Sequence, residues 1–309
     1  MSPLLAAIVA SVMLVATPQI VTAQRVDRAT VPLIIEGNRP FVMITFHKPD
    51  GTTRTARFLL DTGGGAFIIA EPLARELGLE WGATTREEGS EFGMATSLPA
   101  AYIGEIPLRL NPERTGILIG TDNVLPKAAP GRAEGVVPGH VLAQYDVVFD
   151  YPNQTFTIAQ PNVLTRDGVG LPMPVAKQSG FPRTEITVSG TTYGLLIDTG
   201  ASFTMVSEKL LKAWGEQHPE WQRHTGAFGE AATLGGQTLE TMFVPAAQWG
   251  TQEVAEFGVV SQREGTFERY MSGMMAAPIV GSLAGNVLKR FRVELDYPHQ
   301  MLYLTRARD

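Results

Sequence analysis

Two of the chain's aspartates stand in the same setting. Asp61 opens Asp61-Thr62-Gly63 after the apolar run Phe58-Leu59-Leu60, and Asp198 opens Asp198-Thr199-Gly200 after Leu195-Leu196-Ile197. A single Asp beside Gly is ordinarily turn chemistry, because its short carboxylate bonds nearby backbone and Gly tolerates unusual φ angles. Two in matched surroundings can instead meet as a carboxyl pair. Carboxyls held about 3 Å apart cannot both ionise comfortably, so one keeps its proton. The charged one can then take a proton from water while its partner donates one, which is general acid–base chemistry without a covalent intermediate.

Other chemistries lack their residues. With no cysteine there is no disulfide, thiolate nucleophile, iron–sulfur cluster or Cys-ligated zinc. His47, His140, His218, His224 and His299 are scattered and none forms His-Glu-x-x-His, so neither a metal nor a cofactor is expected. Gly-x-Ser-x-Gly, P-loop and dinucleotide fingerprints are missing, and Gly63-Gly64-Gly65 belongs to the Asp corner. Asp150 and Asp296 form a second matched acidic pair, but each precedes Tyr-Pro and reads as a hairpin-turn residue.

The elements that must position the two aspartates are written twice. Each Asp-Thr-Gly joins two short apolar runs, predicting two buried strands that meet at a corner. Helical stretches follow at Glu71–Gly78, with Pro72 near its start, and at Ser207–Gly215, with Ser207 as N-cap and a terminal Gly in both. Downstream, Gly135–Leu142 answers Gly281–Leu288, and Tyr145–Gln154 answers Phe291–Gln300. The runs on either side of Asp-Tyr-Pro-x-Gln predict a β-hairpin in each copy. The copies lie 137 residues apart at the Asp-Thr-Gly (61 to 198) and 146 apart at the Asp-Tyr-Pro (150 to 296), a spacing that means a duplicated domain. The organisation expected is a lobe over 24–160, a Pro/Gly-rich connector over 161–180 and a second lobe over 181–309, both mostly β with short helices.

The 309 residues carry 25 Lys+Arg against 31 Asp+Glu, a net charge of −6 with no basic block, which speaks against a nucleic-acid partner. Residues 1–23 hold no charge. The run Leu4–Ala16 is too short for a hydrocarbon core that needs about 20 residues, and Val21-Thr22-Ala23 suits signal-peptidase cleavage before Gln24. An exported, periplasmic or secreted protein with no stable membrane span after cleavage is expected.

Strand, Asp-Thr-Gly, strand, then a hydrophobic Gly-containing segment and a helix, twice over from about Arg39 to Leu304, resembles retropepsin-like and pepsin-like aspartic peptidases. The nearest form is the bacterial one with two lobes in one polypeptide. The resemblance implies two retropepsin-like β-barrel lobes and catalytic aspartates Asp61 and Asp198. Thr62 and Thr199 would brace the corners against each other, and Gly63 and Gly200 would let the backbone approach. It implies an endopeptidase acting on a peptide or protein substrate as a monomer; the alternative is a catalytically silent periplasmic peptide-binding protein of the same fold. Ser202, where the first copy has Gly65, implies a hydroxyl bonded to Asp198, leaving that residue charged and the shared proton on Asp61. In this chain Gly follows Val136-Val137-Pro138 and Ser282-Leu283-Ala284 only at 139 and 285, with Ile279-Val280-Gly281 as a second register. Gly89–Gly93 and Gly226–Gly229 are candidate flaps.

Overall fold

The computed structural model describes residues 26–87, 90–95, 97–110, 116–120, 132–166, 168–225 and 240–306. The segment 1–23 expected to act as an export signal, Gly89 and the Gly226–Gly229 flap candidate lie outside the described residues. Among the described residues no helix is long and apolar enough to cross a membrane.

The chain is mostly β. Strands β1 (Arg28–Pro32), β2 (Ile34–Glu36), β3 (Arg39–His47), β4 (Thr53–Asp61) and β5 (Phe67–Ala70) lead into a helix over Glu71–Glu76. Then come β6 (Trp81–Glu87), β7 (Ser90–Ala95), β8 (Ala100–Ile103), β9 (Ile106–Pro107), β10 (Ile117–Gly120) and β11 (Gly135–Pro138). A helix over Gly139–Leu142 and the hairpin β12 (Asp146–Asp150) and β13 (Thr155–Ala159) follow. After β14 (Leu171–Pro172) come β15 (Arg183–Val188), β16 (Thr191–Asp198), β17 (Thr204–Ser207) and a helix over Glu208–Gln217. The chain continues through β18 (Arg223–Thr225), β19 (Glu240–Trp249), β20 (Gln252–Gln262), β21 (Gly281–Ala284), a helix over Gly285–Leu288, β22 (Phe291–Asp296) and β23 (Met301–Arg306). Ser90–Gly93 of the first flap candidate lie on β7, which forms a hairpin with β6.

Both halves of the chain contain the same four-strand order. β4 pairs in parallel with β11, which is antiparallel to β5, which is parallel to β10. β16, β21, β17 and β20 repeat that order and polarity. Phe58, Leu59 and Leu60 are fully buried, as are Leu195, Leu196 and Ile197. A central strand covered on both faces reads as a continuous apolar run instead of an alternating one, which is how each run ends in an Asp at the sheet's edge of burial. Ser207 caps its helix, its Oγ accepting the Leu210 N–H at 3.3 Å. That helix does not stop at Gly215 but runs to Gln217. Gly215 lies against the Arg223 guanidinium, which donates to its carbonyl; a Cβ there would lie 2.1 Å from the guanidinium and displace the end of that side chain.

A six-stranded sheet joins the halves in the order β1-β13-β12-β22-β23-β14. At its centre β12 and β22 are antiparallel, with Asp146 opposite Asp296, Val148 opposite Glu294 and Asp150 opposite Arg292. Val148 and Glu294 are 146 residues apart (148 to 294), the repeat spacing of this segment, so the register is reciprocal about that pair. Asp150 and Asp296 do turn work: Asp150 Oδ1 accepts the Asn153 N–H at 3.1 Å and Asp296 Oδ1 the His299 N–H at 3.2 Å. The segment read as a plain connector contributes more than length. It supplies edge strand β14, and Arg166, which reaches three nearly buried carboxylates: Asp146 at 2.9 Å, Asp296 at 3.2 Å and Glu294 at 3.6 Å.

Removing one partner of a buried ion cluster leaves charge without compensation. Arg166→Leu is therefore expected to lower the unfolding free energy at pH 7 by about 3–5 kcal/mol. The deficit should narrow toward pH 4 as the stranded carboxylates take up protons. Urea denaturation at the two pH values checks both the size and the trend.

Candidate active site

β4 and β16 end on the two aspartates, and each corner is held from behind by the next parallel strand. Pro138 of β11 sits in register with Asp61, and Ala284 of β21 with Asp198. A glycine follows each of these strands. Gly139 N–H donates to the Gly64 carbonyl at 3.1 Å and Gly285 N–H to the Ala201 carbonyl at 3.0 Å. A Cβ on Gly139 would lie 2.5 Å from the Thr62 carbonyl oxygen, and one on Gly285 1.8 Å from that of Asn38. Glycines 139 and 285 thus meet the corners without any shift of register, while Gly281 opens β21.

The corners are tied together by their threonines, both fully buried. Thr62 N–H donates to Thr199 Oγ1 at 3.0 Å, and Thr199 N–H to Thr62 Oγ1 at 3.1 Å. Each hydroxyl then donates across to the opposite strand, Thr62 Oγ1 to the Ile197 carbonyl at 2.5 Å and Thr199 Oγ1 to the Leu60 carbonyl at 2.7 Å. Four buried backbone groups from two distant segments are satisfied by two hydroxyls.

This brace sets each carboxyl against the other corner. A Cβ on Gly200 would lie 2.2 Å from Asp61 Cγ, and a Cβ on Gly63 3.0 Å from Asp198 Cγ. A Cβ at 200 would occupy the space of the Asp61 carboxyl, and one at 63 would press the Asp198 carboxyl back by a few tenths of an ångström. Asp61 Oδ1 accepts the Gly63 N–H at 3.0 Å, and Asp198 Oδ1 accepts the Ala201 N–H at 3.0 Å.

Burial raises both acids from the usual carboxylate range, Asp61 to about 6 and Asp198 to about 7. The charge of Asp61 adds to the rise at Asp198, while the buried Arg39 and the corner N–H groups pull both down. The pair therefore shares one proton near neutrality. The bond from Ser202 to Asp198, from which the sequence reading draws a charged Asp198 and a protonated Asp61, is not made. In the structure the Ser202 hydroxyl donates to the Gly37 carbonyl instead, because the tip of the β2–β3 hairpin docks there. Asn38 Nδ2 completes that contact on the Ser202 carbonyl at 3.1 Å.

Arg39 is a functional candidate that sequence reasoning misses. It opens β3, is only 6 % exposed, and feels both aspartates. Its signal lies in the repeat: Arg39-Pro40 answers Phe181-Pro182, so one copy has a charge where the other has a buried ring. Among the described residues no group of His, Asp or Glu could hold a metal ion.

Both carboxyls bind their proton more tightly in the folded chain than in the unfolded one. Their stabilising contribution is complete below about pH 4 and is lost as pH rises through their folded values. Each tenfold gain in proton affinity is worth about 1.4 kcal/mol. Asp198→Asn is thus expected to stabilise the protein at pH 8 by about 2–4 kcal/mol, and to change little at pH 4. Thr62→Val strands the Ile197 carbonyl and the Thr199 N–H, costing about 2–5 kcal/mol in total, whereas Thr62→Ser should stay close to wild type. Thermal or chemical denaturation of the three variants measures each effect.

Comparison with protein-family models and with curated proteins gave no match to this chain.

Proposed function

We propose that the protein is an exported aspartic endopeptidase, built of two retropepsin-like lobes related by internal duplication, 24–160 and 181–309, joined by 161–180. The observation that carries this reading is the mutual placement of the two corners. Crossed threonine bonds hold Asp61 and Asp198 together, each against the other's glycine, and both acids are raised into a range where they share a proton.

The chemistry follows from that sharing. The charged carboxyl of the Asp61–Asp198 pair takes a proton from a water lying between them, and the resulting hydroxide attacks the carbonyl carbon of the scissile peptide bond. The protonated carboxyl donates its proton to the carbonyl oxygen. Collapse of the tetrahedral species expels the amine, which takes the proton held by the carboxyl that deprotonated the water, while the other carboxyl recovers one from the hydroxyl that becomes the carbonyl of the new acid. Every proton is accounted for by the two carboxyls and the water, with no covalent enzyme intermediate. The substrate is an extended peptide segment laid across the corners as an added strand. Both aspartates come from one chain, so the reading calls for a monomer. Residues 1–23 direct it to the periplasm or beyond.

The test is cleavage of a diverse peptide library by the chain from Gln24 across pH 3–9. Asp61→Asn and Asp198→Asn should each lower turnover by about 10²–10⁴-fold or more. Activity should peak between pH 6 and 7, where the singly protonated pair dominates, and decline on either side. Arg39→Met removes a positive charge that favours ionisation, so both limbs of the profile should move to higher pH, with Arg39→Lys in between. A folded protein that cleaves nothing would instead support the silent peptide-binding reading.

A further inference from the structure

The two hairpin tips that pack behind the Asp corners differ in length. In each half an N–H at the hairpin's entry donates to the Gln carbonyl of a Tyr-Pro-x-Gln turn, Leu33 to Gln154 and Met173 to Gln300, both at 2.8 Å. From there to the matched prolines Pro40 and Pro182 the second half takes two residues more (33 to 40 against 173 to 182). Gly180 seats the longer tip on Gly139-His140, behind the Asp61 corner. Its φ is +71° and a Cβ there would lie 2.6 Å from His140 Cα, so this approach needs glycine. The Gly180 N–H closes the loop on the Ala176 carbonyl at 2.8 Å, and Lys177 and Gln178 between them are exposed.

Beside the longer tip is a cavity of about 370 Å³, bordered also by His140, Gln144, Tyr297 and Gln300. Its volume lies within the range of small-molecule pockets, roughly 300–1,000 Å³. In the other half the equivalent side chains, 146 residues on, are occupied. Asn286, answering His140, bonds Thr204 and the Gly258 carbonyl. Arg290, answering Gln144, donates to the Ala255 and Glu256 carbonyls. Around the cavity, polar atoms are left over. His140 Nε2 and the Tyr297 hydroxyl are buried with no hydrogen-bond partner among the described residues, and Tyr297 is only 5 % exposed. Gln300 Oε1 accepts the Val175 N–H at 3.2 Å, which leaves its Nε2 to donate. Gln144 Nε2 donates to the Arg109 carbonyl at 2.9 Å, which leaves its Oε1 to accept. Buried polar groups ordinarily have partners, and unused ones gathered around one space point to something that binds there.

The charge of the site narrows what that is. Among the described residues no Asp or Glu lines the cavity, whereas Lys177 does and has no ion pair of its own. Burial pushes the His140 imidazole down, so near neutrality the single positive charge is the Lys177 ammonium. One ammonium among neutral donors matches a monoanion better than a doubly charged phosphate. Ala143, Val175 and Ala176 supply an apolar wall for a carbon body. We propose that this cavity is a second binding site, which takes a small organic carboxylate, either the terminal carboxylate of a short peptide or a simple organic acid. None of its groups belongs to the carboxyl pair, so the proposal goes beyond the peptidase reading and does not depend on it.

The test is calorimetric titration of the full mature chain at pH 7 and fixed ionic strength with N-acetylalanine, its uncharged amide, propionate and inorganic phosphate. N-acetylalanine is expected to bind about 10–100-fold more tightly than its amide, as a charge-assisted hydrogen bond allows, and more tightly than phosphate. Lys177→Met should erase that difference, Lys177→Arg should keep most of it, and Tyr297→Phe should weaken the acid alone. The acid should also shift the NMR signals of the His140 ring and the Gln300 side-chain amide. Propionate binding as well as N-acetylalanine would identify a simple acid as the ligand, and much weaker propionate a peptide terminus; both support the site. Equal binding of acid and amide, or a preference for phosphate, would overturn it. So would binding lost in Arg39→Met and kept in Lys177→Met, because the carboxylate would then lie at the aspartate pair.

Discussion

The crossed hydrogen bonds of Thr62 and Thr199 are the constraint on which the site depends. Two segments 137 residues apart (62 to 199) each present a backbone N–H and a strand-end carbonyl to the other, and two hydroxyls satisfy all four. Buried backbone polar groups need partners, so neither corner is complete alone. The geometry of the carboxyls follows: with the threonines locked, Asp61 can only lie against Gly200 and Asp198 against Gly63. Valine in place of either threonine would keep the shape and lose the reason for the corners to meet.

That arrangement is bought with charge burial. Two half-buried acids facing each other are a standing cost, and the structure limits it by leaving one protonated and by surrounding the pair with donors. Corner N–H groups from Gly63 and Ala201 and the guanidinium of Arg39 all favour the ionised form, yet desolvation outweighs them at both aspartates. The six-stranded sheet does the mechanical work elsewhere. Its reciprocal β12–β22 register and the Arg166 cluster hold the halves in one relation, so the threonine brace does not have to.

Much of this is legible in the residues. Central strands announce themselves as apolar runs, the Asp-Tyr-Pro-x-Gln hairpins by their turn chemistry, and the helix over Glu208–Gln217 by Ser207 at its cap. What escapes are contacts made across the chain. Ser202 reads as a neighbour of its own aspartate because they are four residues apart, but the group that claims its hydroxyl, the Gly37 carbonyl, is 165 residues away. Arg39 goes unremarked in the sequence, since nothing local reveals that its side chain is buried where it feels two acids. The Pro- and Gly-rich stretch over 161–180 reads as a linker, because its edge strand and Arg166 acquire meaning only once β12, β22 and β23 are side by side. Gly215 reads as a helix stop until Arg223 arrives against it.

The central claim is that Asp61 and Asp198 titrate as one pair. The most direct measurement is a carbon-13 NMR titration of the aspartate carboxyl carbons from pH 3 to 9, in the wild-type chain and in Asp198→Asn. In the wild type, two resonances are expected to move together in two steps above the ordinary carboxylate range, and in the variant Asp61 should titrate in a single step below the upper step of the pair. Two carboxyls that each titrate near pH 4, with Asp61 indifferent to the substitution at Asp198, would contradict it.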